Sequence, residues 1–146
     1  MRIAFLTILL LAAVALAANS FCGVFPAAAE EASPGGTVTA YYFHGSFRCS
    51  TCHKLEEYAK EAIENYFKND LASKKLAFKI VNIESKGNEH YVKDYQLYTK
   101  SIVLSLTKDG KEIRFKHLDK IWEYVSNKDL YEDYVRDEIA AFLKEA

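Results

Sequence analysis

Two cysteines separated by two residues, Cys49-Ser50-Thr51-Cys52, stand where a hydrophobic strand runs into an amphipathic helix, and this junction constrains the chain more than any other feature. The strand side is Thr37-Val38-Thr39-Ala40-Tyr41-Tyr42-Phe43, rich in β-branched and aromatic residues. The helix side repeats apolar residues at Cys52, Leu55, Ala59, Ala62, Ile63, Tyr66 and Phe67, the spacing of one buried helical face. A two-residue spacer in the first turn of a helix lets both sulfurs meet in a disulfide. It also leaves Cys49 at the helix N-terminus, where unpaired N–H groups and the macrodipole favour a thiolate. Thiol redox chemistry is the expectation for a pair so placed.

Composition sets the bounds. The chain has 146 residues, half of them hydrophobic, enough for one domain of ordinary size. A formal charge of −1 gives no sign of a nucleic-acid partner. Ten Tyr and nine Phe point to an aromatic core, and the folded part has no internal repeat or low-complexity tract.

The first 29 residues have the pattern of an export signal: Arg2, an apolar run from Ile3 to Ala18, then small residues. Two A-x-A-like sites compete, one ending at Ala17 and the other at Ala27-Ala28-Ala29. Cleavage after Ala29 is favoured, because Pro26 breaks the apolar helix upstream and Glu30-Glu31 opens a polar linker running to Gly36. That cut removes Cys22 and leaves both remaining cysteines in the motif. The alternative is an uncleaved membrane tether, since Ile3 to Ala29 exceeds the roughly 20 residues a span needs. Either way the domain, residues 37–146, is expected outside the cytosol, in a periplasmic or other extracytoplasmic space where disulfides persist. Phe21 argues against lipidation at Cys22.

Beyond the first helix, Leu76 to Glu84 is predicted as a second strand and Ser85 to Tyr98 as a short helix with Tyr91, Tyr95 and Tyr98 on its inner face. Ile102 to Leu106 is a third strand, joined through Lys108-Asp109-Gly110-Lys111 to a fourth at Glu112 to Phe115, because Asp-Gly between apolar runs signals a hairpin. Asn127 caps a last helix in which Tyr131, Val135, Ile139 and Phe142 share a face. The expected fold class is α/β.

This order of elements resembles the thioredoxin fold, a three-layer arrangement with a mixed four-stranded central sheet flanked by helices. Val81-Asn82-Ile83-Glu84 and the later Tyr95-Gln96-Leu97-Tyr98-Thr99-Lys100-Ser101-Ile102-Val103-Leu104 are similar to the thioredoxin stretch through its third and fourth strands. More narrowly, Phe43-His44-Gly45-Ser46-Phe47-Arg48-Cys49-Ser50-Thr51-Cys52-His53-Lys54-Leu55-Glu56 resembles the signature of the ArsF family, thioredoxin-like proteins described as subunits of a nitrophenyl-compound nitroreductase. The resemblance implies exchange of electrons with a partner protein's thiols or disulfide, or with a reductase subunit. It implies no cofactor. Three features depart from the thioredoxin pattern. Ser101 stands at the aligned position of the cis-proline that helps bind substrate backbone, Tyr42 stands where thioredoxins bury an acid, and neither Gly nor Pro lies between the cysteines.

The expected mechanism has Cys49 attacking a disulfide as thiolate and Cys52 resolving the mixed disulfide. Arg48 and the helix N-terminus lower the Cys49 pKa, and His53 and His44 shuttle a proton or stabilise the thiolate. A depressed thiol pKa stabilises the reduced form, so this cluster leans towards an oxidant. A metal site is the alternative, because Cys49, Cys52, His53 and His44 put four soft or borderline donors within ten residues, suited to copper, zinc or an iron–sulfur group. A distant third is a c-type cytochrome: Cys49-Ser50-Thr51-Cys52-His53 satisfies C-x-x-C-H, but the only Met is Met1 and the element order does not suit a small cytochrome.

Overall fold

The computed structural model describes residues 35–146; the expected export segment and nearly all of the linker lie outside them. Four strands, β1 (Thr37–His44), β2 (Leu76–Asn82), β3 (Ser101–Lys108) and β4 (Lys111–His117), form one sheet in the order β2-β1-β3-β4. β1 runs parallel to β2 and antiparallel to β3, and β4 runs antiparallel to β3. The helices are α1 (Ser50–Tyr66), α2 (Lys68–Ala72), α3 (His90–Asp94), α4 (Ile121–Tyr124) and α5 (Lys128–Leu143). This is a thioredoxin-like α/β fold, and the assignment stands on strand order and direction.

β1 sits inside the sheet, so both of its faces are covered. Val38, Ala40 and Tyr42 point to one side, where α1 and α5 supply Leu55, Ala59, Ala62, Ile63, Tyr131, Val135, Ile139 and Phe142. Tyr41 and Phe43 point to the other, into a smaller cluster with Tyr91, Tyr95, Leu97 and Val103. There the rings of Tyr41, Phe43, Tyr91 and Tyr95 lie with centroids 5.1–6.0 Å apart, the offset range that favours aromatic contact. The third layer is therefore thin, a single-turn helix and its flanking loop.

Several element boundaries differ from the expectation. The helix predicted over Ser85 to Tyr98 shrinks to α3, because side-chain bonds claim the backbone before it: Asn82 Oδ1 accepts from the Glu84 N–H, and Asn88 Nδ2 donates to the Asn82 carbonyl. Gly87 then turns the chain at φ 96°. Tyr91 and Tyr95 do face the sheet, but Tyr98 is 94% exposed and is not part of any inner face. β2 stops at Asn82, two residues before Glu84, for the same reason. β4 reaches from Lys111 to His117 because the tight turn lets pairing start at once: Asp109 and Gly110 both adopt positive φ, 51° and 73°, as a type I′ hairpin requires. Tyr66, expected on the buried face of α1, is half exposed and stacks under the Arg136 guanidinium instead. Asn127 caps α5 as expected, its Oδ1 accepting from the Leu130 N–H at 3.2 Å.

Candidate functional site

β1 ends at His44, and the loop Gly45 to Cys49 carries the chain across the end of the sheet into α1. Side chains from β2's end hold this loop. The Ser46 N–H donates to Glu84 Oε2 at 3.0 Å, and Asn82 Nδ2 donates to Ser46 Oγ at 3.2 Å. Hydrogen bonding from Ser46 keeps the Glu84 carboxyl below the usual carboxylate range, helped by Lys100 and His44. A Cβ at Gly45 would lie 2.6 Å from Glu84 Oε1, so a larger residue there would push this carboxylate aside.

Cys49 occupies the N-cap of α1 in extended conformation, and its Sγ accepts from the Cys52 N–H at 3.2 Å. The two cysteines form a disulfide with Cα atoms 5.0 Å apart. They are not equivalent. Cys52 is 1% exposed against the helix-covered side of the sheet, whereas Cys49 is partly open to solvent. The first turn of α1 contains no acidic residue, so no carboxylate there offsets the partial positive charge that the helix N-terminus presents to the Cys49 sulfur.

Under the disulfide lie two buried tyrosines. The Tyr42 hydroxyl donates to the Cys52 carbonyl at 2.8 Å, and the Tyr131 hydroxyl donates to the Leu55 carbonyl at 2.7 Å. Burial pushes the Tyr42 hydroxyl up to about 12, with Arg48 opposing and Glu56 adding to the rise. Tyr42 is thus a neutral donor that pins the first turn of α1 to β1.

The structure places the charged residues of the motif differently from one another. An Arg48 Nη lies 2.5 Å from Glu56 Oε2, with the two side chains 21% and 24% exposed, so the arginine is already paired inside the site. Its Nε is buried without an acceptor among the described atoms. His44 directs Nδ1 to the Gly45 carbonyl at 2.8 Å. His53 is exposed on α1, its backbone N–H bonded to the Cys49 carbonyl at 3.1 Å. Among the described residues no group of three or more His, Cys, Asp or Glu side chains is arranged to hold a metal ion, so Cys49, Cys52, His53 and His44 do not converge as a ligand set.

Ser101 opens β3 directly across from Phe43, and its Oγ donates to the Thr99 carbonyl at 2.9 Å. The loop before it meets the loop before Cys49, with Lys100 Nζ 6.0 Å from the Phe47 ring centroid. Trp122 closes the far side by donating Nε1–H to the Lys100 carbonyl at 2.9 Å, beside a cleft of about 150 Å³ that Ser101 and Trp122 help line. Phe47, 77% exposed, lies in the loop before Cys49, and the exposed Tyr98 lies in the loop before Ser101.

Glu56, Glu84, Asn82 and Trp122 shape this site without having been singled out in the sequence. Glu56 had one available signal, its position one helical turn after Cys52. The others act across 22 to 38 residues of chain, where no local pattern reports them.

Comparison with protein-family models gives no match, and comparison with curated proteins gives none either. Among solved structures, the chain is similar to thioredoxin O2 from Arabidopsis thaliana in its oxidized state, at 14% identity and a TM-score of 0.40, over 64% of this chain and 74% of that one. It is similar to Fasciola hepatica thioredoxin at 17% identity and a TM-score of 0.39, over 65% and 84% of the two chains. The thioredoxin of Trypanosoma brucei brucei aligns at 16% identity and a TM-score of 0.39, over 73% and 79%.

Proposed function

We propose that the protein is an exported thiol–disulfide redox protein that exchanges electrons with a partner protein, Cys49 attacking and Cys52 resolving. The observation that carries this reading is the asymmetry of the pair: a partly exposed sulfur at a helix N-cap beside a buried one a single turn inside. In the reducing direction the Cys49 thiolate attacks a partner disulfide, forming one mixed disulfide and expelling one partner thiolate. Cys52 then loses its proton and attacks Cys49 Sγ. The Cys49–Cys52 disulfide forms, the second partner thiolate leaves, and two electrons have passed to the partner. The oxidising direction reverses these steps.

The exposed Phe47 and Tyr98 and the Ser101 loop form the surface a partner meets in this reading. The resemblance of Phe43 to Glu56 to the ArsF signature supports a place in a reductase system. The Arg2 to Ala29 pattern supports export, with retention as a tether the other form of the same route.

Brief alkylation of the reduced domain followed by mass spectrometry tests the roles. Cys49 is expected to label at least about tenfold faster than Cys52, given the difference in access and thiolate character. Equal labelling of both at pH 6 overturns the assignment. A Cys52→Ser variant exposed to an extracytoplasmic extract should accumulate a mixed disulfide through Cys49, and its absence argues for an inert structural bridge.

A further inference from the structure

We propose that Glu56 sets the acidity of Cys49, and with it the reduction potential of the Cys49–Cys52 couple, by neutralising Arg48, the cation next to the attacking sulfur. The inference rests on the reading that this pair cycles between disulfide and dithiol.

Arg48 immediately precedes Cys49, and a lone guanidinium there would favour the thiolate. It is not alone. Its Nη is 2.5 Å from Glu56 Oε2, and with the side chains 21% and 24% exposed the two charges are less screened than a surface pair. Both stand close to the pair along the chain, Arg48 directly before Cys49 and Glu56 one turn after Cys52 on α1, and both act on Tyr42, whose hydroxyl donates to the Cys52 carbonyl at 2.8 Å: after burial, Arg48 lowers and Glu56 raises its pKa. On this proposal a thiolate formed at Cys49 meets the Arg48–Glu56 pair rather than a lone cation, and the two fields largely cancel. The helix N-terminus is left as the uncancelled stabiliser. The other charged or titratable groups around this end of the sheet are His44 on β1, Glu84 after β2, His53 on α1 and Lys100 before β3. They are untouched by changes at 48 and 56.

The redox step concerned is disulfide plus an external dithiol giving the Cys49 thiolate, the Cys52 thiol, the oxidised cyclic form of that dithiol, and one proton released. Only the product carries charge on sulfur, so a charge beside Cys49 moves this equilibrium and the thiol pKa together. Removing the anion should make the couple more oxidising, and removing the cation more reducing.

The test is a double-mutant cycle with thiolate absorbance measured against pH in a Cys52→Ser background, which needs no redox cycling. Glu56→Gln should lower the Cys49 pKa by about half a unit to one unit, the range for a partly exposed neighbouring charge. Arg48→Gln should raise it by a similar amount. The double variant should return close to the starting value, a pattern that a general loosening of the loop does not produce. With both cysteines present, equilibration against dithiothreitol should show Glu56→Gln up to tenfold easier to reduce, about 30 mV more positive. An unchanged or raised pKa in Glu56→Gln overturns the proposal, as does a double variant that matches Arg48→Gln. Should Glu56→Gln lose its far-UV circular dichroism, Glu56→Asp takes its place, with a smaller shift of the same sign expected and no shift overturning it. A wild-type disulfide that dithiothreitol cannot cycle would instead sink the redox function while leaving the pKa cycle readable.

Discussion

The two cysteines are held by different physics. Cys52 is buried and opens the apolar face of α1, whose Leu55, Ala59 and Ile63 share one fully buried cluster with Tyr42 of β1 and Tyr131 of α5, and the Tyr42 hydroxyl donates to its carbonyl. Cys49 hangs from a loop whose restraints are polar: Ser46 to Glu84, Asn82 to Ser46, and Arg48 to Glu56. Close packing is insensitive to pH and salt and resists displacement. Partly exposed hydrogen bonds and ion pairs are weaker and respond to both. The resolving sulfur is therefore built to stay in place, and the attacking sulfur is built to be adjusted.

The largest expected effect lies on the Cys52 side. Leu55→Ala removes a fully buried side chain from the wall between α1 and α5 and should destabilise the domain by about 2–5 kcal/mol in urea unfolding. A loss below about 1 kcal/mol would mean that the wall can collapse around the gap, and the contrast between a packed and a tunable sulfur would fail.

That wall was legible in the sequence because it repeats at helical spacing. Tyr131, Val135, Ile139 and Phe142 fall on one stripe of α5 and all four are buried, as are Cys52, Leu55, Ala59, Ala62 and Ile63 on α1. The sheet was legible for a similar reason, with Asp109-Gly110 supplying the one turn that fixes the β3–β4 register. The region between β2 and β3 was not, because α3 is too short to show a period and is framed by Asn82, Gly87 and Asn88. The site divided along the same line. Cys49 and Cys52 announce themselves by spacing, while the partners that govern them come from elsewhere. Arg48 was expected to act on the sulfur as a free cation, and its pairing with Glu56, eight residues on, was outside any helical pattern.

Tyr42→Phe is the next effect in size. It deletes the hydroxyl that ties the Cys52 carbonyl to β1 but keeps the ring, so the expected loss is about 0.5–1.5 kcal/mol, that of one hydrogen bond. It should also alter alkaline unfolding. The folded hydroxyl is raised to about 12 from 10.0, so it contributes stability in full below pH 10 and loses it as pH rises towards 12. The variant should lose less stability than wild type over that window. Identical slopes would mean that other buried tyrosines, Tyr131 foremost, carry the alkaline transition.

On the Cys49 side, Gly45→Ala tests the loop. Its Cβ displaces the Glu84 carboxylate and with it the bond from the Ser46 N–H, while the core is untouched. Stability should fall by about 0.5–1.5 kcal/mol, at or below the tyrosine variant. The alkylation rate of Cys49 should change by more than that of Cys52. Equal changes at both sulfurs would erase the distinction between them.

The smallest effect concerns pH acting on the same loop. Glu84 has a folded pKa below its ordinary 4.5, because the Ser46 hydrogen bonds favour the ionised carboxylate. A depressed carboxylate contributes stability above pH 4.5 and gives it up as the pH falls through the lower folded value. Wild type and Glu84→Gln should therefore differ at pH 6, and the difference should shrink as the pH is taken below 4.5 towards about pH 3. Urea unfolding at the two pH values measures this, and Cys49 labelling in the reduced protein should follow the same course. A difference that persists unchanged to pH 3 would show that Glu84 holds the loop by shape alone, and that the adjustable part of the site is confined to Arg48 and Glu56.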